Sequence, residues 1–333
     1  MNHVERFRAV MNFQPVDRLP RWEWAMWWDK TLDRWRGEGM PAGLTDGFEI
    51  SRYFGHDPYK QFWIGTIGDY GGGGKPAVTG AVNDIDYYRR IKPQLYPGDD
   101  GGLGEIASWK ERQKAGEAVV WATLDGYFWF PRVLLGIERH LYAFYEQPEL
   151  IHAINADLVD FHVALLRRMA RFCVPTFLTI AEDMSYNHGP MISKAMFDEF
   201  LAPYYRRLVP VLNELGIIPV IDSDGDVTRL APWLHSVGID AILPLERNAG
   251  VDGMKLREAC PWLLMIGHYD KMTMNRGEKA MRAEFERIVP LMRRGGYIPS
   301  VDHQTPPGVS LEQYRAYLRL LGEYTATGGQ STA

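Results

Sequence analysis

The chain has 333 residues, 46% hydrophobic and 24% charged, which is enough apolar material for a large core and ordinary for a globular protein. A formal net charge of −5 leaves no electrostatic footprint for nucleic acid or an anionic membrane, and no apolar run reaches the length of a membrane span. The charged N-terminus "MNHVERFRAVMNF" is not a signal peptide, and two cysteines, Cys173 and Cys260, build no disulfide framework, so the expected compartment is the cytoplasm.

In chain order, "NHVERFRAVMNF" predicts a helix opened by an Asn2–Glu5 capping box, and "RLPRWEWAM" predicts a first strand. From Thr31 to Ala115 the patterning is poorer, with helical pieces "LTDGFEISRYF" and "LGEIASWKERQKAG" on either side of "GDYGGGGKP". The four glycines at 71–74 lack the following Lys-Ser/Thr and the strand-to-helix context of a phosphate loop, so they predict a flexible connection or lid. Beyond Glu117 the alternation is clear: strand "AVVWATL", helix "PRVLLGIERHLYAFYE", and a long helix from Pro148 to Phe172. Strand "TFLTIAED" precedes a helix from Ser193 to Leu215. Then come strand "GIIPVIDSD", helix "VTRLAPWLHSVG", strand "IDAILPLE", helix "VDGMKLREAC" and strand "WLLMIGHYD". Helix "GEKAMRAEFERIVPLMRRG", strand "GYIPSVDH" and helix "SLEQYRAYLRLLGEY" with a Ser310–Gln313 capping box complete the pattern. At least six β/α units with short loops predict an α/β protein of the (β/α)8 TIM-barrel class with an N-terminal helical and loop elaboration. Residues 1–325 are expected to form a single domain and 326–333 a flexible tail. An open doubly wound sheet is disfavoured because no Gly-x-Gly-x-x-Gly follows the first strand.

The last residues of the later strands are Glu182 and Asp183, Asp222 and Asp224, Glu246, His268 and Asp270, then Asp302 and His303. In a (β/α)8 barrel such ends converge on one face. Any one acid after a strand is explained by helix capping, as for Asp226 and Asp252, but five in register are not. In "PVIDSDGD" the extended chain sends Asp222 and Asp224 to the same side, where two carboxylates repel unless a cation lies between them. Zinc, or another divalent metal, held by Asp222, Asp224 and His303 is therefore expected, with Glu246 as a fourth group or orienting base. The competing reading is a hydrogen-bonded acid network around a sugar-like ligand. Each cysteine precedes a strand, near the opposite face, and reads as a small buried hydrophobe.

The stretches "EDMSYNHGPMISKAMFDEFLAPYYRRL", "VIDSDGDVTRL", "PLERNAG", "GGYIPSVDHQTPPGVSLEQYRAY" and the N-terminal "ERFRAVMNFQPVDRLP" resemble the uroporphyrinogen decarboxylase superfamily. The resemblance covers nearly the whole chain in the same order and implies a (β/α)8 barrel. The superfamily holds the haem-pathway decarboxylase and methyltransferases, many of them zinc-dependent, that serve corrinoid proteins. In its thiol-activating methyltransferases the metal ligands come from a His-x-Cys pair and a C-terminal Cys. Those positions are occupied here by Asp222, Asp224 and Asp302 or His303. The decarboxylase's arginine-rich N-terminal stretch is replaced by "RLPRWEWAMWWDK", in which Arg21 is followed by Trp22, Glu23, Trp24, Trp27 and Trp28. An aromatic wall does not suit a polycarboxylate, and oxygen ligands suit an oxygen leaving group better than a thiol.

Trp22, Trp24 and Trp27, with Tyr53, Phe54 and Trp63, are expected to line a pocket for a flat aromatic ring, although core filling explains some of them equally well. Tyr186 and His188 are expected to hydrogen-bond the ligand, and Glu182, Asp183, Glu246 and His268 to act as catalytic groups. The function so implied is transfer of a methyl group from an oxygen donor, a methoxylated aromatic, to a corrinoid protein. The chain lacks the Asp-x-His-x-x-Gly pattern for binding cobalamin through histidine, so a partner protein is expected to carry the corrinoid. A small aromatic methyl donor is the other partner, and a homodimer is compatible with the sequence. The alternatives are a uroporphyrinogen decarboxylase-type enzyme of the porphyrin pathway, a glycoside hydrolase-like barrel using Glu182 and Glu246, and a barrel that binds a small ligand without turning it over.

Overall fold

A computed structural model describes residues 1–66, 79–96, 98 and 103–328. The glycines at 71–74 and the last five residues of the expected tail lie outside the described residues. Seven parallel strands form one curled sheet in the order β1 (Tyr59–Trp63), β2 (Val119–Asp125), β3 (Phe177–Ala181), β6 (Ile218–Asp222), β7 (Ala241–Leu243), β8 (Leu264–Tyr269) and β9 (Tyr297–Val301). A short antiparallel hairpin, β4 (Ser185–Tyr186) with β5 (Gly189–Pro190), rises from the end of β3. Helices follow the strands as right-handed parallel pairing requires. The arrangement is that of a TIM-like barrel, though the sheet is not closed by backbone pairing among the described residues.

The gap between β9 and β1 is crossed by residues 20–25, which the sequence predicts as a strand and which is irregular. Its backbone is satisfied singly rather than by a ladder: Asp57 N donates to Arg21 O at 2.9 Å, and Trp24 N donates to Ser300 Oγ at 3.1 Å. The Trp24 indole N–H donates to Val301 O at 2.7 Å, and the Tyr59 hydroxyl donates to Glu23 O. Side chains thus do most of the bridging that an eighth strand would do through its main chain. By contrast β1, "YKQFW", was not anticipated, because only two of its five residues are buried and alternation is lost.

Both expected capping boxes are present: Glu5 N donates to Asn2 Oδ1 at 2.9 Å, and Gln313 N donates to Ser310 Oγ at 3.1 Å. Two expected helices are each broken in two. Gly136, at φ +79°, separates Trp129–Leu135 from Ile137–Glu146, and Lys194–Phe200 ends before Ala202–Glu214, whose first turn holds Pro203. β2 is buried along its whole length because helices cover one face and the barrel interior the other. At the N-terminal end of the strands Phe7 stacks on Trp22 at 5.0 Å and on Phe177 at 4.8 Å, plugging that end with rings. Cys173 and Cys260 are buried and unpaired, as expected. No helix among the described residues is long and apolar enough to cross a membrane.

Candidate metal centre

The parallel register brings strand ends level: Ala181 lies opposite Asp222, and Asp222 opposite Leu243. The chain then turns at Ser223–Gly225, and this turn, the loop after β7 and the loop after β9 carry Asp224, Glu246 and His303 to one point. Each of these three offers a ligand atom, and the atoms lie within 4.8 Å of one another. His303 Nε2 lies 3.1 Å from Asp224 Oδ1, and Gly225 N donates to Glu246 Oε2 at 2.9 Å. Burial works against a charged His303, but the hydrogen bond and charge of Asp224, helped by Glu246, outweigh it and hold the imidazole above its usual range.

Asp222, expected as a ligand, is not one of the three, whereas Glu246, expected as a fourth group or an orienting base, is. The Asp222 carboxyl is held well above the ordinary carboxylate range, by burial first and then by Asp183 and Asp224. Asp183 is raised by the same causes, burial and then Asp224, and Asp224 N approaches Asp183 Oδ1 at 3.5 Å. Four carboxyl groups and one imidazole therefore share the mouth, the arrangement that a divalent cation relieves. One imidazole and two carboxylates from three separate loops form a donor set that zinc accepts with a position left over.

Two of the expected catalytic groups are withdrawn from the mouth. Glu182 is fully buried and caps the helix that starts at Trp129: its oxygens accept from the N–H groups of Tyr127 and Phe128, each at 2.7 Å, and of Trp129 at 3.2 Å. The Tyr205 hydroxyl donates to it as well. Burial raises this carboxyl to about 7 against the pull of those donors. A Cβ on Gly126 would lie 2.2 Å from Glu182 Cδ, so the cradle closes only around a glycine. His268 breaks the strand alternation. Gly267 at φ +111° and His268 at φ +70° turn the imidazole back to Leu245 O, 3.0 Å from Nδ1. Burial, then the charge of Arg287, lowers it to about 4.

The tryptophans divide by height in the barrel. Trp22 is 1% exposed and belongs to the ring plug, so it is core rather than pocket. Trp27 packs with Trp35, Phe54 and Tyr314 in a peripheral aromatic cluster and is also core. Trp24 alone of the three reaches the centre, its ring edge-on to His303 at 6.0 Å between centroids. Trp63 is half-exposed at the end of β1. Tyr186 and His188 are exposed on the β4–β5 hairpin, ring to ring at 5.6 Å. That hairpin is fastened to the Asp224 turn: Asp226 N donates to Tyr186 O at 2.9 Å, and a Cβ on Gly225 would lie 2.6 Å from Tyr186 N.

The sequence matches the family described as Uroporphyrinogen decarboxylase (URO-D) over residues 65–324. The chain belongs to the uroporphyrinogen decarboxylase family. Compared with curated proteins it finds no match. Among solved structures it is similar to a methyltransferase from Methanosarcina mazei, at 14% identity and a TM-score of 0.69, over 97% of this chain and 99% of that one. It also resembles D-psicose 3-epimerase from Clostridium cellulolyticum H10, at 11% identity and a TM-score of 0.41, over 84% of this chain and 89% of that one. In this member of the uroporphyrinogen decarboxylase family Arg21 does not face the mouth. Its guanidinium donates to Gly322 O and to Thr325 Oγ1 on the last helix, Leu311–Gly328, each at 3.2 Å.

Three polar or turn residues with defined partners gave little signal in the sequence. Gly225, whose N–H fixes Glu246, was visible only as the glycine of a turn. Asp125, at the end of β2, accepts from Thr66 N at 3.2 Å and Thr66 Oγ1 at 2.9 Å, and a reading of the later strands alone passed over it. Glu23, buried against Tyr317, gave no signal beyond an acid among tryptophans.

Proposed function

We propose that this protein is a metal-dependent methyltransferase that moves a methyl group from an oxygen donor, a methoxylated aromatic, to the corrinoid of a separate carrier protein. The observation that carries the reading is the cluster of Asp224, Glu246 and His303 at the strand ends with no cysteine near it. The family and the fold-level likeness to a Methanosarcina mazei methyltransferase support it. In the reaction the methyl C–O bond breaks, the methyl group leaves for the corrinoid, and the departing oxygen keeps the electron pair and takes up a proton.

Asp224, Glu246 and His303 would hold zinc or another divalent ion. When bound, such an ion supplies Lewis acidity to the oxygen that accumulates charge. The rest falls to the chain's own groups. Asp183, half-buried beside Asp224, is positioned to deliver the proton to that oxygen. Trp24 offers a ring edge beside His303 against which an aromatic donor packs, and Tyr186 and His188 on the hairpin border the entrance. Residues 1–325 act as one domain in the cytoplasm.

A uroporphyrinogen decarboxylase activity is disfavoured because both arginines of that N-terminal segment are engaged, Arg18 with the Asp57 carboxylate and Arg21 with the last helix. A two-carboxylate glycosidase is disfavoured because Glu182 is sealed behind four donors. The test is a conversion assay with a reduced corrinoid carrier protein. Metal-loaded enzyme is expected to turn a methoxylated phenol into the free phenol while methylating the corrinoid. Coproporphyrinogen formed from uroporphyrinogen, with no methylation from any ether, would refute the reading.

A further inference from the structure

We infer that His268 and Asp302 are positioning residues that grip the backbone on either side of Glu246 and so fix one ligand of the metal centre; this rests on the reading of Asp224, Glu246 and His303 as ligands. On the preceding side His268 acts twice. Its backbone N–H donates to Pro244 O at 2.9 Å, and its Nδ1 lies 3.0 Å from Leu245 O. The far edge of the ring decides the tautomer. Nε2 faces Gly253 N at 3.0 Å and Arg287 Nη1 at 2.9 Å, and neither an amide N–H nor a guanidinium accepts a hydrogen bond. Nε2 therefore carries the lone pair, and Nδ1 carries the proton that Leu245 O receives. Arg287 is itself held, donating through Nη2 to His268 O at 2.9 Å and through Nε to Glu284 Oε2 at 2.8 Å.

The grip matters because the chain it holds is strained. Leu245 sits at φ +61°, a left-handed conformation that an unbranched-at-Cβ but bulky residue adopts only when its surroundings impose it. A Cβ on Gly267 would lie 2.1 Å from Pro244 O, so β8 is pressed against the loop and has no slack. On the following side Arg247 N donates to Asp302 Oδ2 at 3.1 Å, and Lys271 N approaches Asp302 Oδ1 at 3.4 Å. Asp302 is fully buried and immediately precedes His303. The same residue thus ties the loop of one ligand to the strand end of another. With Gly225 N engaging Glu246 Oε2, the carboxylate is constrained from three directions.

Zinc affinity, measured by competition with a chromophoric chelator, and the visible spectrum of the cobalt(II) form test this without an activity assay. His268→Ala is expected to weaken zinc binding roughly 10- to 100-fold and to alter the cobalt spectrum. His268→Asn is expected to restore both, because its amide donates from the Nδ1 position and Asn accepts left-handed backbone. His268→Gln, whose amide lies at the Nε2 position, is expected to behave like the alanine variant. Urea unfolding of each variant separates a loss of folding from a loss of affinity. Should the alanine variant not fold, equal zinc affinities for the Asn and Gln variants would overturn the inference. Unchanged affinity and spectrum in a folded His268→Ala would overturn it too, leaving the ligand reading intact. A wild-type protein that binds neither ion removes the ligand reading and this inference with it.

Discussion

Replacing Glu23 by glutamine should remove a pH-dependent loss of stability. Glu23 is 1% exposed, accepts one hydrogen bond from the Tyr317 hydroxyl at 2.6 Å, and has no partner for Oε2. Burial, opposed only by that one bond, raises its carboxyl from 4.5 to about 8. Below 4.5 the folded and unfolded chains both hold the proton, and Glu23 contributes no pH dependence. Between 4.5 and about 8 the folded chain keeps the proton that the unfolded chain releases, so stability falls as pH rises. Each pH unit in that window costs about 1.4 kcal/mol, so roughly 5 kcal/mol is lost by its upper end. That is a large share of the 5–15 kcal/mol or so that keeps a domain folded. The glutamine side chain is neutral throughout and reproduces the protonated form. Urea unfolding of wild type and Glu23→Gln across the window should show the variant gaining on the wild type steadily, with both equal at its acid end. A difference between the two that stays constant with pH would refute the reasoning, because every other titrating group is common to both.

Three further outcomes rest on the contacts of Glu182, Trp22 and Trp24. Glu182→Gln leaves one acceptor oxygen for four donors and should cost roughly 2–5 kcal/mol in urea unfolding, with any lost activity tracking the unfolded fraction. Trp22→Ala should cost roughly 3–5 kcal/mol of stability and leave zinc affinity unchanged. Trp24→Ala should instead weaken binding of an aromatic ether, read by quenching of intrinsic fluorescence, and an equal stability loss in both variants would return Trp24 to the core.

Much of the site is legible in the strand ends because parallel strands that begin together also end together. Asp224, Glu246 and His303 follow strands of one sheet, and that was enough to expect them near one another. Glu182 and His268 stand at equivalent places in the sequence and go elsewhere. Glu182 finds three backbone N–H groups at the start of a helix that the sequence assigns to a different unit. His268 follows a glycine in a left-handed conformation, so the alternation that assigns faces no longer applies to it. Asp222 lies in register yet is left out of the ligand cluster, because the turn at Ser223–Gly225 carries Asp224 forward while Asp222 stays in the strand.

The alternation of strands and helices, both capping boxes and the row of acids at the strand ends are written in the sequence. These depend on spacing and on residues a few positions apart, which the chain carries locally. The sequence also places both cysteines before strands, which leaves only oxygen and nitrogen donors at the strand ends. Which groups meet depends on packing between segments far apart in the chain. Trp22 and Trp24 are two residues apart on one segment, but one is level with Phe7 and Phe177 and the other with Val301 and His303. Residues two apart in an extended chain share a face but not a height, and the height at which a side chain enters a barrel is set by register with neighbours hundreds of residues away.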